Sequence, residues 1–323
     1  MKIYIPGNLL LLGEYAITLQ GNKGIGFAVD TWASIQAEPS DRLIIISNFQ
    51  GKQMSWTENS IPTGPMALAA CILSSVRKYT SNKKKLFSPL KITIDTSNFY
   101  YSDGRKKGFG SSAAVSAGLT YLLLHYAYEK SPDIKKEVFP LALSIHREFQ
   151  GGKGSGYDIA ASLFGGAGVF TGGIIPSWQP IKKAWFEYLH LIRGDEEAST
   201  KEFLSLFHQF GINNPAQFKQ FLHQSNAIVE KITLCDETQA ALELFFEASK
   251  LNQWIHQKLG ISSEGAMLKA QLNCFREYHF PGKSLGAGGE IAAVLIPQNN
   301  LLHNTGVNLE PLKITNSGLR CEQ

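Results

Sequence analysis

The sequence predicts a two-domain protein of the α+β class, on three observations. At 323 residues the chain is longer than one typical hydrophobic core. Its opening is β-rich, whereas residues 200–278 are helical almost throughout. Glycine-rich turns adjoin apolar segments at three separate places. Apolar content of 44% against 18% charged describes an ordinary globular chain in which no long stretch is expected to be disordered.

The elements follow in order. Lys2–Ile5 and Leu9–Leu12 read as short strands on either side of a Pro6-Gly7 turn, and Ile25–Gln36 and Arg42–Ser47 continue the β-rich opening. Pro65–Tyr79 has apolar residues at helical spacing with proline near its start, and Leu90–Asp95 alternates as a strand does. Two helices, Ser112–Tyr128 and Phe139–Phe149, precede a short one over Ile159–Phe164. Gly, Pro and Trp cluster over 172–180 before a strand pattern resumes at Trp185–Ile192, so the domain boundary is expected there, giving residues 1–178 and 179–323. The helical stretch from Thr200 to Tyr278 breaks at 211–215, 234–236 and 260–264. Its longest helix, Asp236–Leu259, is expected to start on an Asp cap and to stop at Gly260. Phe203, Phe207, Phe210, Phe218 and Phe221 fall at helical spacing and read as inter-helix packing. A strand over Ile291–Ile296 closes the series.

Charge and cysteine usage narrow the function classes. The net charge of +4 is small and dispersed apart from Lys83-Lys84-Lys85 and Arg105-Lys106-Lys107, so nucleic acid is not an expected partner. Cys71, Cys235, Cys274 and Cys321 stand far apart without metal-type or redox-type pairing, which suits a reducing cytoplasm. The apolar run Leu9–Leu12 is too short for a signal core or a membrane span. His190, His208, His223 and His256 show no ligand grouping, and no structural zinc is expected.

The chemistry is concentrated in the glycine turns. Residues 108–114, Gly-Phe-Gly-Ser-Ser-Ala-Ala, follow a basic triplet and precede the apolar run Val115–Leu124. A glycine turn that opens a helix aims backbone N–H groups and the positive end of the helix dipole at one spot, which suits a phosphate. A structural turn ahead of a buried helix has the same sequence, so this turn alone assigns no ligand. Residues 150–158 repeat the pattern and end on Asp158. A carboxylate in such a turn either accepts the proton of an incoming nucleophile or repels a nucleotide, which makes Asp158 a candidate base. Capping of the helix from Ile159 is the structural alternative.

The segments Pro6-Gly7-Asn8 through Gly13-Glu14-Tyr15, Gly108–Ala114 and Leu285-Gly286-Ala287-Gly288-Gly289 occur in an order and spacing that resemble the three signatures of the GHMP kinases. The resemblance spans almost the whole chain. It is nearest to the phosphomevalonate kinase branch: Tyr15 stands where other branches usually carry His, and Asn98-Phe99-Tyr100 lies upstream of the second signature. His146, Gln150, Gly151, Gly154, Ser155, Gly156 and Asp158 also match that branch's spacing.

What the resemblance implies is an N-terminal domain like ribosomal protein S5 domain 2 and a ferredoxin-like C-terminal domain, with ATP and substrate in the cleft between them. It implies that Gly108, Gly110, Ser111, Ser112 and Ala113 hold the phosphates of ATP and that Ser112 ligates Mg²⁺ through its hydroxyl. Gly286, Gly288 and Gly289 would close over the nucleotide, and Asp158 would be the catalytic base. Glu14, Tyr15, Ser155 and Gly156 fall on the acceptor side, with Lys107 and Lys153 as cations for a phosphorylated acid. Asn8 stands at a catalytic position where the family usually has Lys, so that position is neutral here; Lys153, Arg147 and Lys106 are candidates to supply the charge. The implied activity is ATP-dependent phosphorylation of a small molecule, 5-phosphomevalonate first, with mevalonate or a sugar as alternatives within the superfamily. A catalytically silent nucleotide-binding module is the alternative that Asn8 favours. The expected protein is a cytoplasmic monomer or homodimer without nucleic-acid or membrane partners.

Overall fold

The computed structural model describes residues 1–83, 88–152, 154–194, 200–261, 266–286, 290–297 and 307–322. In chain order the elements are β1 (Lys2–Leu12), β2 (Lys23–Pro39), β3 (Ile44–Phe49), β4 (Lys52–Trp56), α1 (Pro65–Asn82), β5 (Leu90–Asp95), α2 (Ser111–Tyr128), α3 (Phe139–Phe149) and α4 (Tyr157–Phe164). There follow β6 (Ala167–Thr171), β7 (Ser177–Ile181), β8 (Leu189–Arg193), α5 (Thr200–Asn213), α6 (Pro215–Leu234), α7 (Thr238–Leu259), α8 (Ala266–Glu277), β9 (Gly282–Ser284), β10 (Ile291–Leu295), β11 (Leu309–Pro311) and β12 (Arg320–Cys321). This mixture of segregated helices and largely antiparallel strands is α+β. Among the described residues no helix is long and apolar enough to cross a membrane.

The chain divides into two compact units, each assembled from separated segments. Unit 1 takes Met1–Asn8, Ala28–Gly166 and Thr315–Gln323; unit 2 takes Leu9–Phe27 and Ala167–Ile314.

In unit 1 the strands run in the order β12-β1-β2-β5-β3-β4, with β3 and β5 parallel and the pairs β12/β1, β2/β5 and β3/β4 antiparallel. Burial alternates along β2: Ala33, Ile35 and Ala37 are buried while Gln36 and Glu38 are exposed. That period of two turns one face toward the helices. Ile35 opposes Ile94 and Ala37 opposes Ile92, so apolar pairs build that face. Helix α2 lies on it. A Cβ on Gly118 would come within 2.9 Å of Ile35 and 3.3 Å of Ile5, so glycine is what permits this close approach. Helices α1, α3 and α4 pack around α2, which is why its sequence is apolar on nearly every side.

The Pro6-Gly7 pair does not make a turn. β1 is one continuous strand of 11 residues, and Gly7 is needed for contact: a Cβ there would lie 2.7 Å from the Phe109 carbonyl oxygen and 2.9 Å from the Phe99 ring.

In unit 2, Lys23–Phe27 at the start of β2 pairs with β6, and β6 pairs with β7, both antiparallel. The Gly, Pro and Trp cluster of residues 172–180 forms the connection and start of that β6/β7 pair. A second sheet has the order β11-β8-β10-β9, antiparallel throughout. Leu268, Leu272 and Phe275 of α8 pack on Ile192, Ala292 and Val294 of this sheet. Helices α5, α6 and α7 enclose a cluster centred on Phe207, Phe210, Phe221, Ile255 and Leu259, with Phe203 and Phe218 packed against it. Each fully buried ring of this kind stabilises by about 2–3 kcal/mol.

Two expectations are corrected here. The stretch from Trp185 is not strand throughout: Ala184–Tyr188 forms a 3₁₀ turn, and β8 starts only at Leu189. The turn buries both Trp185 and Phe186, which meet edge to face at 4.5 Å between centroids, and a strand would send them to opposite faces. Helix α7 starts at Thr238, behind Glu237 and without a side-chain cap; Asp236 instead pairs with Lys183 at 2.7 Å. Its stop at Gly260 is as expected, with φ of 66° in the left-handed region.

Candidate active site

The glycine turn ahead of α2 has the geometry of an anion cradle. Gly108 and Gly110 adopt φ of 74° and 65°, a region that favours glycine, and Gly110 is the N-cap residue. The first intrahelical bond runs from Ala114 N to Gly110 O at 3.2 Å, so the N–H groups of Ser111, Ser112 and Ala113 come before it and lie at the positive end of the dipole. No side chain caps this helix, so neither serine hydroxyl serves as an N-cap. Ser112 is exposed and Ser111 half-buried. Upstream, Arg105 is engaged with Asp103 through bonds of 3.0 and 3.1 Å, and the Lys107 ammonium lies 5.6 Å from the Tyr101 ring.

Asn8 joins this turn to the helix that carries Asp158. Within β1, its backbone N–H donates to Phe109 O at 2.9 Å. Its buried side-chain Nδ2 donates to Gly110 O at 3.2 Å and to Ser162 Oγ at 3.1 Å. A Cβ on Gly110 would collide with the Asn8 amide, so the turn and the amide fit only because residue 110 is glycine. Ser162 and Asp158 are four residues apart on α4 and therefore share a face. β1, the glycine turn and the candidate base are thus linked inside unit 1 by one neutral amide.

Asp158 sits in the first turn of α4, behind Gly156 at φ 95°. Its Oδ1 accepts from Ile159 N at 2.9 Å, and its Oδ2 is 3.6 Å from His146 Nδ1. The helix begins at Tyr157 with Gly156 as N-cap residue, so Asp158 is not the cap, although it does satisfy one first-turn N–H. Its side chain is 19% exposed, enough to meet a substrate without giving up these contacts. His146 is buried, with Nε2 3.2 Å from Gln150 Nε2. Arg147 donates from Nε to Gly154 O at 2.8 Å and from a terminal nitrogen to Ser155 O at 2.6 Å. Burial lowers the Arg147 guanidinium below its usual range and the charge of Asp158 raises it again. Ser155 is buried, and its hydroxyl lies 3.5 Å from Tyr157 N.

In unit 2, Glu14 and Tyr15 spend their polar atoms on internal partners. Lys283, buried in β9, donates to Glu14 Oε1 and to Leu11 O, the latter at 2.9 Å. Burial pushes the Glu14 carboxyl up and the Lys283 ammonium down, and each charge opposes the other's shift. Beside them Ser284 donates to Asn252 at 3.2 Å, and Glu14, Asn252, Ser225 and Lys283 line a small cleft with Phe221 and Ile255. Tyr15 holds φ of 63° and ψ of −53°, unusual for a non-glycine residue, and its hydroxyl is 3.0 Å from His256 Nε2. Burial pushes the Tyr15 phenol up, chiefly by desolvation. Gly286 is at φ 60°; Gly288, Gly289 and Lys153 lie outside the described residues.

Burial also lowers His256 from 6.5 to about 3, with Lys283 adding to the shift. A neutral buried imidazole stabilises the fold fully above pH 6.5, where the unfolded chain is also neutral. Below that the unfolded chain takes up a proton that the folded one refuses, so stability falls toward pH 3 by up to about 1.4 kcal/mol per pH unit. Denaturant unfolding of wild type and His256→Gln between pH 7 and 4 is expected to show a steeper loss for the wild type. Parallel losses would assign the pH dependence to other groups.

Known proteins share parts of this sequence and its fold. Residues 58–166 match the GHMP kinases N terminal domain. The phosphomevalonate kinase of Streptomyces sp. (strain CL190) is 28% identical over 182 residues, covering 50% of this chain and 47% of that protein. The chain thus spans about half the length of the curated relatives it matches. Among solved structures, the Lin0012 protein from Listeria innocua superposes with a TM-score of 0.85 at 21% identity over 99% of both chains. Streptococcus pneumoniae phosphomevalonate kinase, solved with phosphomevalonate and AMPPNP, superposes with 0.78 at 18% identity over 96% of this chain and 98% of that one.

Proposed function

From a chain that carries a GHMP kinase N-terminal domain over residues 58–166 and the GHMP kinase fold, we propose an ATP-dependent small-molecule kinase whose acceptor is 5-phosphomevalonate. The single observation that carries this reading is the Asn8 amide, bonded at once to the N-cap residue of α2 and to the helix of Asp158. It ties a phosphate-type helix start to a partly exposed carboxylate.

In this reaction the bond from the γ-phosphorus of ATP to its β-bridging oxygen breaks while a new bond to an acceptor oxygen forms. The protein's share is positioning and charge stabilisation. The N–H groups of Ser111, Ser112 and Ala113, with the dipole of α2, hold the phosphate oxygens without a counter-charge of their own. The exposed Ser112 hydroxyl fits a hard cation, and Mg²⁺ bound there would neutralise charge on the phosphates. Asp158 orients the acceptor oxygen and takes any proton that it still carries. An alcohol must lose that proton entirely, whereas a phosphate monoester, with a second pKa near about 6, arrives largely ionised. Within unit 1, Lys107, Ser155 and Gly156 are assigned to the acceptor; within unit 2, Glu14 and Tyr15 are assigned to it through the turn they build. Gly286, Gly288 and Gly289 serve the nucleotide.

ATP consumption with phosphomevalonate, mevalonate and simple sugars tests the proposal. Stimulation by phosphomevalonate is expected. Stimulation by mevalonate or a sugar instead would replace the acceptor, and ATP binding with no stimulation by any acceptor would make the chain a nucleotide-binding module.

A further inference from the structure

The glycine-rich residues 150–152 and 154–156 are an improbable support for a catalytic group. Gly151, Gly152 and Gly156 all adopt positive φ, and a glycine-rich segment has the most backbone freedom to lose. Something must hold it if Asp158, two residues beyond, is to keep one orientation. The holding surface is one face of α3. Leu143, His146, Arg147 and Gln150 are spaced at i, i+3, i+4 and i+7 and so line up along the helix. A Cβ on Gly156 would strike Leu143 and one on Gly154 would strike Gln150, so the turn is moulded to this face. Arg147 closes the mould with two bonds, at 2.8 Å to Gly154 O and 2.6 Å to Ser155 O. Charge-assisted bonds are roughly twice as strong as neutral ones, and the planar fork of guanidinium spans two carbonyls where a lysine ammonium meets one point.

We propose that Arg147 is a positioning residue for the candidate base: it clamps the Gly154 and Ser155 carbonyls and thereby fixes the turn from which Asp158 projects. This rests on the kinase reading for its effect on rate, but the clamp itself is independent of it. The guanidinium and Asp158 also feel each other's charge, so the clamp places a cation in the neighbourhood of the carboxylate. His146, on the same face, approaches the second carboxylate oxygen.

The test combines kinetics with amide hydrogen exchange on Arg147→Met, Arg147→Lys and Arg147→Ala. Turnover is expected to fall about 10- to 100-fold in Arg147→Met, as a misplaced catalytic group does, with the KM for ATP held within about twofold. Arg147→Lys should recover only part of the loss. Methylguanidinium, but not methylammonium, should restore turnover in Arg147→Ala. Exchange should rise at residues 154–158 and stay unchanged elsewhere. Should Arg147→Met unfold, seen as faster exchange everywhere, Arg147→Lys carries the same comparison. Wild-type turnover in Arg147→Met, or unchanged exchange over 154–158 in a folded variant, overturns the proposal. A wild type whose ATP consumption no acceptor stimulates overturns the kinase reading instead, and the exchange result then decides the clamp alone.

Discussion

Asp158→Asn is expected to lower acceptor-dependent ATP turnover by about 10²–10⁴-fold while the unfolding midpoint stays close to that of the wild type. The asparagine oxygen can still accept from Ile159 N, and a side chain 19% exposed carries little packing, so the fold does not depend on the charge. The reaction does, because an amide accepts no proton at neutral pH. The size of the loss also discriminates acceptors. With an alcohol the proton must be removed in the transition state and the loss belongs at the upper end of the range; with a phosphate monoester, already ionised for the most part, it belongs at the lower end. Measuring wild type and Asp158→Asn with mevalonate and with phosphomevalonate separates the two cases. Turnover within about threefold of wild type for every acceptor would remove Asp158 from the role of base.

Local signals made much of this architecture legible. Leu90–Asp95 and Phe139–Phe149 fall where periodicity puts them, and α2 starts one residue before its expected first position. A period of 3.6 or 2 is a property of neighbouring residues, so it survives without knowledge of the fold. The glycine turn at 108–110 and the turn at Gly156 were legible for the same reason: positive φ is a local demand. Gly7 was misread because its demand is not local. It faces Phe109, 102 positions on, and nothing in Pro6-Gly7 distinguishes a close approach from a turn. Asp236 was misread as a cap because its partner, Lys183, lies 53 residues away. The functional residues that sequence reasoning missed share this property. Arg147 stood out only as a possible charge, since bonds to backbone carbonyls leave no sequence signature. Lys283 went unnoticed, although a lone lysine between Phe280 and Ile296 in an otherwise apolar strand pair was the available clue.

Lys283→Met is expected to cost about 3–5 kcal/mol of folding stability, the second large effect. The lysine bridges 269 positions to Glu14 and also binds Leu11 O, so one ammonium holds the end of β1 and the turn that follows. Both partners of the pair are buried, where attraction between them is set against the desolvation of each. Removing the lysine leaves a buried carboxyl without its cation and a carbonyl without its donor. The loss therefore comes from the orphaned groups more than from the pair's net attraction, and this makes a sharp test possible. In Glu14→Gln/Lys283→Met the buried charge is gone, so the double variant should be more stable than Lys283→Met alone, by more than about 1 kcal/mol in denaturant unfolding. Simply additive losses would show that the two side chains act independently. Because Tyr15 follows Glu14 at an unfavourable φ, loosening this turn should also raise the KM for the acceptor in any variant that still folds, with the KM for ATP less affected.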